Sequence, residues 1–160
     1  MATEESLRNT AEAFISAFTT LDPKVDIRAA NCTHNFAPSS LGMPTGMTND
    51  DWEAHVKHLR QVMIGFPVTA KEMHINVAKA QVVIWATAVP NFREEAKDPG
   101  TGGEDEAPGW TGEYMFLLDM NEDGKISRIV EFLDSLATSN AQTLLSKAFA
   151  NVGAAGKSFS

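Results

Sequence analysis

Apolar residues recur at helical spacing in three stretches of this chain and at strand-like spacing between them. Leu7, Ala11, Phe14 and Phe18 form one stripe, widened by Ile15 and Leu21, so residues 4–20 read as an amphipathic helix. Leu21-Asp22-Pro23 ends it, because proline disfavours helical geometry in the residue before it. Residues 27–30 read as a short helical turn, 31–36 as a short strand stopped by Pro38, and 39–48 as a Gly/Pro loop. Trp52, Val56, Leu59 and Met63 give a second stripe. That helix opens on Asn49 as N-cap, carries Asp50 and Asp51 at its positive end and runs to about Ile64. Two β-rich runs follow, 68–77 and 81–92, joined tightly through Ala78-Lys79-Ala80. Residues 93–109 are charged and rich in Gly and Pro, the composition of a long mobile loop, and such loops often act as lids. Runs 114–118 and 126–133 flank Asn121-Glu122-Asp123-Gly124, a hairpin signal in which Gly supplies the positive φ of the turn. Leu144, Leu145, Ala148 and Val152 mark a last helix over 138–152, and 153–160 reads as a frayed tail.

Helices early and strands late predict one α+β domain over residues 1–160: a curved antiparallel sheet with helices packed on its inner face. Helices that do not fully close over such a sheet leave a conical cavity. Acids inside the hairpin's apolar runs then stand out. Glu122 and Asp123 sit in a solvated turn and need no explanation. Glu113, Glu131 and Asp134 lie within or beside strands that otherwise read as core, so each faces solvent or a partner, or lines a pocket that tunes its proton affinity. Glu131 and Asp134 point to opposite faces, Glu131 with Ile129 and Leu133, Asp134 with Phe132 and Val130. Glu113 falls opposite Glu131 or Phe132 according to loop register, and a one-residue slip decides its face.

The formal net charge of −8 argues against a nucleic-acid partner or an anionic membrane surface, both of which need clustered Lys and Arg. No apolar run approaches the roughly 20 residues of a membrane span. The first residues lack the basic-then-apolar pattern of a secretory signal, and the lone Cys32 fits a reducing compartment, so a cytoplasmic protein is expected. No phosphate loop, HExxH, CxxC or GxSxG occurs. His55 and His58 are spaced to share a metal but lack a third ligand, so no metal and no cofactor are expected.

Three segments carry a resemblance to a known family: Cys32-Thr33-His34 with Pro38-Ser39-Ser40-Leu41, residues 49–55, and Gly112-Glu113-Tyr114 followed by Asp123-Gly124-Lys125 and Glu131-Phe132-Leu133-Asp134-Ser135. With the element order, they resemble the NTF2-like, or SnoaL-like, conical α+β barrel. Within it they resemble the cofactor-free isomerases and cyclases of fungal meroterpenoid pathways, the austinol and terretonin type. The resemblance covers roughly residues 6–145. It implies a pocket in which acidic and imidazole groups move protons on a bulky apolar polyketide–terpenoid, and a homodimer built on the outer face of the sheet. The 93–109 insertion departs from compact members of the family.

On this reading His34, Glu113 and Glu131 are the catalytic candidates. Glu131 or Glu113 would take a proton α to a carbonyl, and His34, whose ordinary pKa is near working pH, would protonate or polarise the enolate oxygen. Two glutamates facing each other in a pocket would split into an acid and a base. Trp52, His55, Leu59, Phe66, Tyr114, Phe116 and Asp134 are the substrate-contact candidates, since aromatic walls suit an apolar polycycle. The plainer alternatives are a satisfied core histidine, an outer-face salt bridge for Glu131, a helix cap at Asp134 and ordinary core for the aromatics. A dehydratase or epoxide hydrolase is the nearest enzymatic variant. A non-catalytic ligand carrier or dimerisation module is the rival from another class.

Overall fold

The computed structural model describes residues 1–98 and 110–155. Most of the loop expected over 93–109, and the end of the tail expected over 153–160, lie outside the described residues.

Helix α1 (Glu4–Ala17) starts at a capping box in which Thr3 and Ser6 satisfy each other's backbone N–H. Its Leu7, Ala11 and Phe14 are buried, as the periodicity predicts. Strand β1 (Arg28–Ala37) is longer than expected: a single 3-10 turn, Val25–Ile27, precedes it, and residues 28–30 are strand, not helix. Helix α2 (Asn49–Leu59) is capped by Thr48, whose Oγ1 accepts from the Asp51 N–H at 3.2 Å. Asn49, expected as the cap, lies one residue inside, and its Nδ2 donates to the Ala29 carbonyl at 2.9 Å. The helix stops at Leu59, and a turn over residues 60–62 leads into a strand. Strand β2 (Met63–Gly65) pairs antiparallel with β5 (Asn91–Phe92), a non-local contact that overrides the helical stripe.

The remaining strands are β3 (Val68–Asn76), β4 (Gln81–Ala88), β6 (Gly112–Met120) and β7 (Ile126–Leu133). With β1 they form a five-stranded sheet in the order β1-β7-β6-β4-β3. Neighbours from β3 to β7 are antiparallel, but β1 runs parallel to β7, and β1 and β3 do not pair, so the sheet stays open. Register shifts in β1, β3 and at the end of the β6–β7 pair bend it. The β6–β7 turn is closed by Asn121, whose Oδ1 accepts from the Asp123 and Lys125 N–H groups, and by Gly124 at φ 75°.

Alternation along β4 and β6 is regular. Val82, Ile84 and Ala86, and Tyr114, Phe116 and Leu118, face the helices. Phe14 of α1 meets Phe116 edge-on at 5.3 Å, which anchors the helix on the sheet. Helix α3 (Ser135–Ala155) begins three residues earlier than the apolar spacing alone predicts, because Asp134 Oδ1 accepts from the Leu136 and Ala137 N–H groups. No described helix is long and apolar enough to cross a membrane.

Candidate active site

The parallel pairing of β1 and β7 brings distant residues together. His34 stands opposite Ile129, and Phe36 opposite Glu131. On β1 the inward face carries Arg28, Cys32, His34 and Phe36; on β7 it carries Ile129, Glu131 and Leu133. Glu131 therefore sits where the strand pattern calls for an apolar side chain, 6% exposed, and His34 beside it is 0% exposed.

His34 Nε2 lies 2.8 Å from Glu131 Oε2. On the other side of the ring, both terminal nitrogens of Arg28 lie 3.4 Å from Nδ1. A guanidinium only donates, so Nδ1 must accept, and the ring proton sits on Nε2 and is donated to Glu131. The result is a buried row of cation, neutral imidazole and carboxylate. Burial holds the His34 imidazole below its ordinary value, aided by Arg28 and opposed by Glu131. Burial also lowers the Arg28 guanidinium to about 10, which leaves it charged at neutral pH. Trp52 of α2 fixes both groups: its ring stacks on His34 at 3.9 Å with 12° between planes, and Arg28 lies 4.9 Å above it.

Two cavities meet at this row. The first, of about 130 Å³, lies under α3 between apolar walls that include Leu59, Phe66, Phe92, Trp110 and Leu145. Its polar groups include Glu131, His55, Tyr114 and Gln142. The second, of about 60 Å³, lies toward α1 and is bordered by Phe14, Phe18, Arg28 and Trp52. Phe36, His55, Leu59, Phe66 and Glu131 border both. Burial lowers the His55 imidazole from its ordinary value and raises the Tyr114 phenol, so both are neutral proton carriers at neutral pH. A carboxylate oriented from behind and surrounded by apolar walls is equipped to take a proton from carbon. Among the described residues no three His, Cys, Asp or Glu side chains are grouped to hold a metal ion. His58 stacks on Phe149 at 4.3 Å, while His55 borders the cavities.

No family model matches the sequence. Austinoid biosynthesis cluster protein H of Aspergillus calidoustus is 30% identical over 139 residues, 83% of this chain and 86% of that protein. The chain belongs to the family of austinoid biosynthesis cluster protein H. Among solved structures, AusH from Aspergillus nidulans superposes with a TM-score of 0.66 at 23% identity, over 84% of this chain and 88% of that one. The BvnE pinacolase from Penicillium brevicompactum superposes with a TM-score of 0.73 at 20% identity, over 92% and 99%. The fold of this cluster protein H relative is the NTF2-like, SnoaL-like α+β fold.

In this member of the cluster protein H family, the structure joins some of the expected residues and separates others. Glu131 and His34 are joined, but His34 borders neither cavity and stands behind the carboxylate. Glu113 falls opposite neither Glu131 nor Phe132. Phe116 is the partner of Glu131, and the Asp134 N–H donates to the Glu113 carbonyl. The reason is that β6 runs on to Met120, so the turn starts later than the apolar run suggests. Glu113 points outward, where its Oε2 accepts from Trp85 Nε1 at 2.9 Å. Asp134 is exposed and caps α3. Phe116 is packed in the core between Phe14 and Phe18 and borders neither cavity. Trp52, His55, Leu59, Phe66 and Tyr114 all border a cavity. Arg28 is not among the expected site residues, since a helical turn is expected over residues 27–30; an arginine in step with Cys32, His34 and Phe36 is the sequence signal for its place on β1.

Proposed function

We propose that the protein is a cofactor-independent isomerase or cyclase of fungal secondary metabolism, rearranging a bulky polyketide–terpenoid through an enolate. The observation that carries this reading is the Glu131 carboxylate on the wall of an apolar cavity, held by an imidazole N–H at 2.8 Å. The names of the family's austinoid cluster protein and of the BvnE pinacolase agree with it. Glu131 is the base that takes the proton α to a carbonyl; Glu113, on the outer face, is not needed. His34 orients Glu131 from behind. Proton return falls to His55 or Tyr114, the neutral donors that border the cavity with Glu131. A homodimer belongs to the same reading, and its support is the outer sheet face, where Met115 and Phe132 are 44% and 49% exposed.

The test is exchange and rearrangement of meroterpenoid 1,3-dicarbonyl intermediates in deuterium oxide. Glu131→Gln keeps an acceptor for His34 and loses the base, so we expect turnover to fall by roughly 10²–10⁴-fold with the fold intact. Glu113→Gln should leave turnover within about twofold. Undiminished exchange in Glu131→Gln would remove Glu131 from the mechanism. Binding without exchange in the wild type would favour a carrier.

A further inference from the structure

Arg28 carries a charge that no direct ion pair answers. It is 6% exposed, yet no ion pair among the described residues includes it. Its two terminal nitrogens share a single acceptor, His34 Nδ1, at the long distance of 3.4 Å. The Cys32 sulfur is a further, weak polar neighbour, and the Glu131 carboxylate acts on Arg28 electrostatically from beyond His34. Its Nε has no partner at all, and neither does the indole Nε1 of Trp52, the residue over which it lies. Both side chains are buried and both border the 60 Å³ cavity that meets the larger one at Glu131. A buried donor without an acceptor costs about 1–3 kcal/mol, and more for a charged group. Both donors lie on side chains that border this small cavity, whose wall also carries Asp22, Lys24 and Glu131, so a ligand oxygen lodged there becomes their acceptor after a small side-chain adjustment.

We propose that the smaller cavity is a subsite for an anionic oxygen of the ligand, an enolate or carboxylate, recognised by Arg28 Nε–H and Trp52 Nε1–H. The substrate would then be an apolar polycycle in the 130 Å³ cavity with its ionisable oxygen turned toward α1. The assignment of an enolate rests on the proton-transfer reading above. In that reading Glu131 takes the α-proton, the C–H electron pair forms the new C=C bond, the carbonyl π pair moves onto oxygen, and the net charge of the pocket is unchanged. Glu131 becomes neutral as the enolate becomes negative, and Arg28 remains as the facing cation.

The experiment is a binding titration, which needs no turnover. Dimedone, a cyclic 1,3-dicarbonyl ionised at neutral pH, is compared with its methyl enol ether, which cannot ionise. Binding is followed through the ¹⁵N–¹H resonances of Arg28 Nε and of the tryptophan indoles. We expect dimedone to bind at least about tenfold more tightly than the ether and to shift the Arg28 and Trp52 signals but not that of Trp85. Arg28→Met should abolish the preference. Trp52→Phe, which keeps an aromatic ring, should reduce it. Equal binding of the two probes, no binding of dimedone, a preference that survives Arg28→Met, or donor resonances that do not move would each overturn the subsite. The wild-type resonances decide the matter even if Arg28→Met does not fold. Glu131→Gln separates the two readings: it should keep the preference for dimedone even if the proton-transfer assay fails.

Discussion

Replacing His34 by Ala tests whether the buried row is a structural unit. The substitution deletes the 2.8 Å hydrogen bond to Glu131, the ring stacked 3.9 Å from Trp52 and the acceptor that faces Arg28. Loss of a fully buried ring of this size costs about 2–4 kcal/mol in packing. The hydrogen bond to a charged group adds about 1.5–3 kcal/mol. Partial relaxation, with Arg28 and Glu131 moving toward each other, offsets some of this. We expect a net loss of about 3–5 kcal/mol. For a domain of this size about 2–4 °C is lost per kcal/mol, so the melting temperature should fall by roughly 6–20 °C. The assay is urea unfolding beside thermal melts, with Glu113→Ala as the exposed control, expected within about 0.5 kcal/mol of the wild type. A loss below about 1 kcal/mol with an unchanged urea slope would refute the reasoning, because it would mean that Glu131 and Arg28 do not depend on the imidazole between them.

Stability should also fall with acid in a defined window. His34 and His55 are both held below the ordinary value of 6.5 by burial, so the unfolded chain takes up protons that the folded chain refuses. Stability is full above that value and declines as pH falls through it, with a limiting slope of about 1.4 kcal/mol per pH unit for each proton. His34→Gln should flatten the decline in melts between about pH 7.5 and 5.5, and equal slopes would count against a neutral buried His34. Gly65→Ala should destabilise by about 1–3 kcal/mol in urea, since its Cβ would fall on the Thr19 carbonyl oxygen and backbone would have to move. The proposed homodimer predicts a dimer mass for the wild type in light scattering and a monomer mass for Phe132→Lys, on the exposed sheet face; a monomeric wild type would refute it.

What could be read in the sequence follows from where local signals suffice. The face of Glu131 was legible because β7 alternates over several residues, and Ile129 and Leu133 fix the inward side. The first helix was legible because its stripe is continuous and a Pro follows. Glu113 was not legible. Its face and partner depend on where the turn starts, and Leu118-Asp119-Met120 does not distinguish strand end from loop start. The early end of α2 was hidden for another reason: Met63 extends the helical stripe, and only its pairing with β5 makes it strand. Arg28 was lost with the misread start of β1, and with it the cation of the site. The position of His34 behind Glu131 could not be read at all, because it arises from the parallel pairing of two strands that no local pattern relates.

That pairing also sets when the site can exist. His34 and Glu131 are 97 residues apart in the chain, and closing a loop of that length costs about 4 kcal/mol in chain entropy before any contact repays it. The strands β3, β4, β6 and β7 can associate through nearest neighbours, at much lower cost, without β1. A chain arrested at that stage would have most of its sheet and no site: Glu131 would face solvent and Arg28 would be elsewhere. The candidate site is thus a property of the completed chain, acquired when the first strand docks against the last.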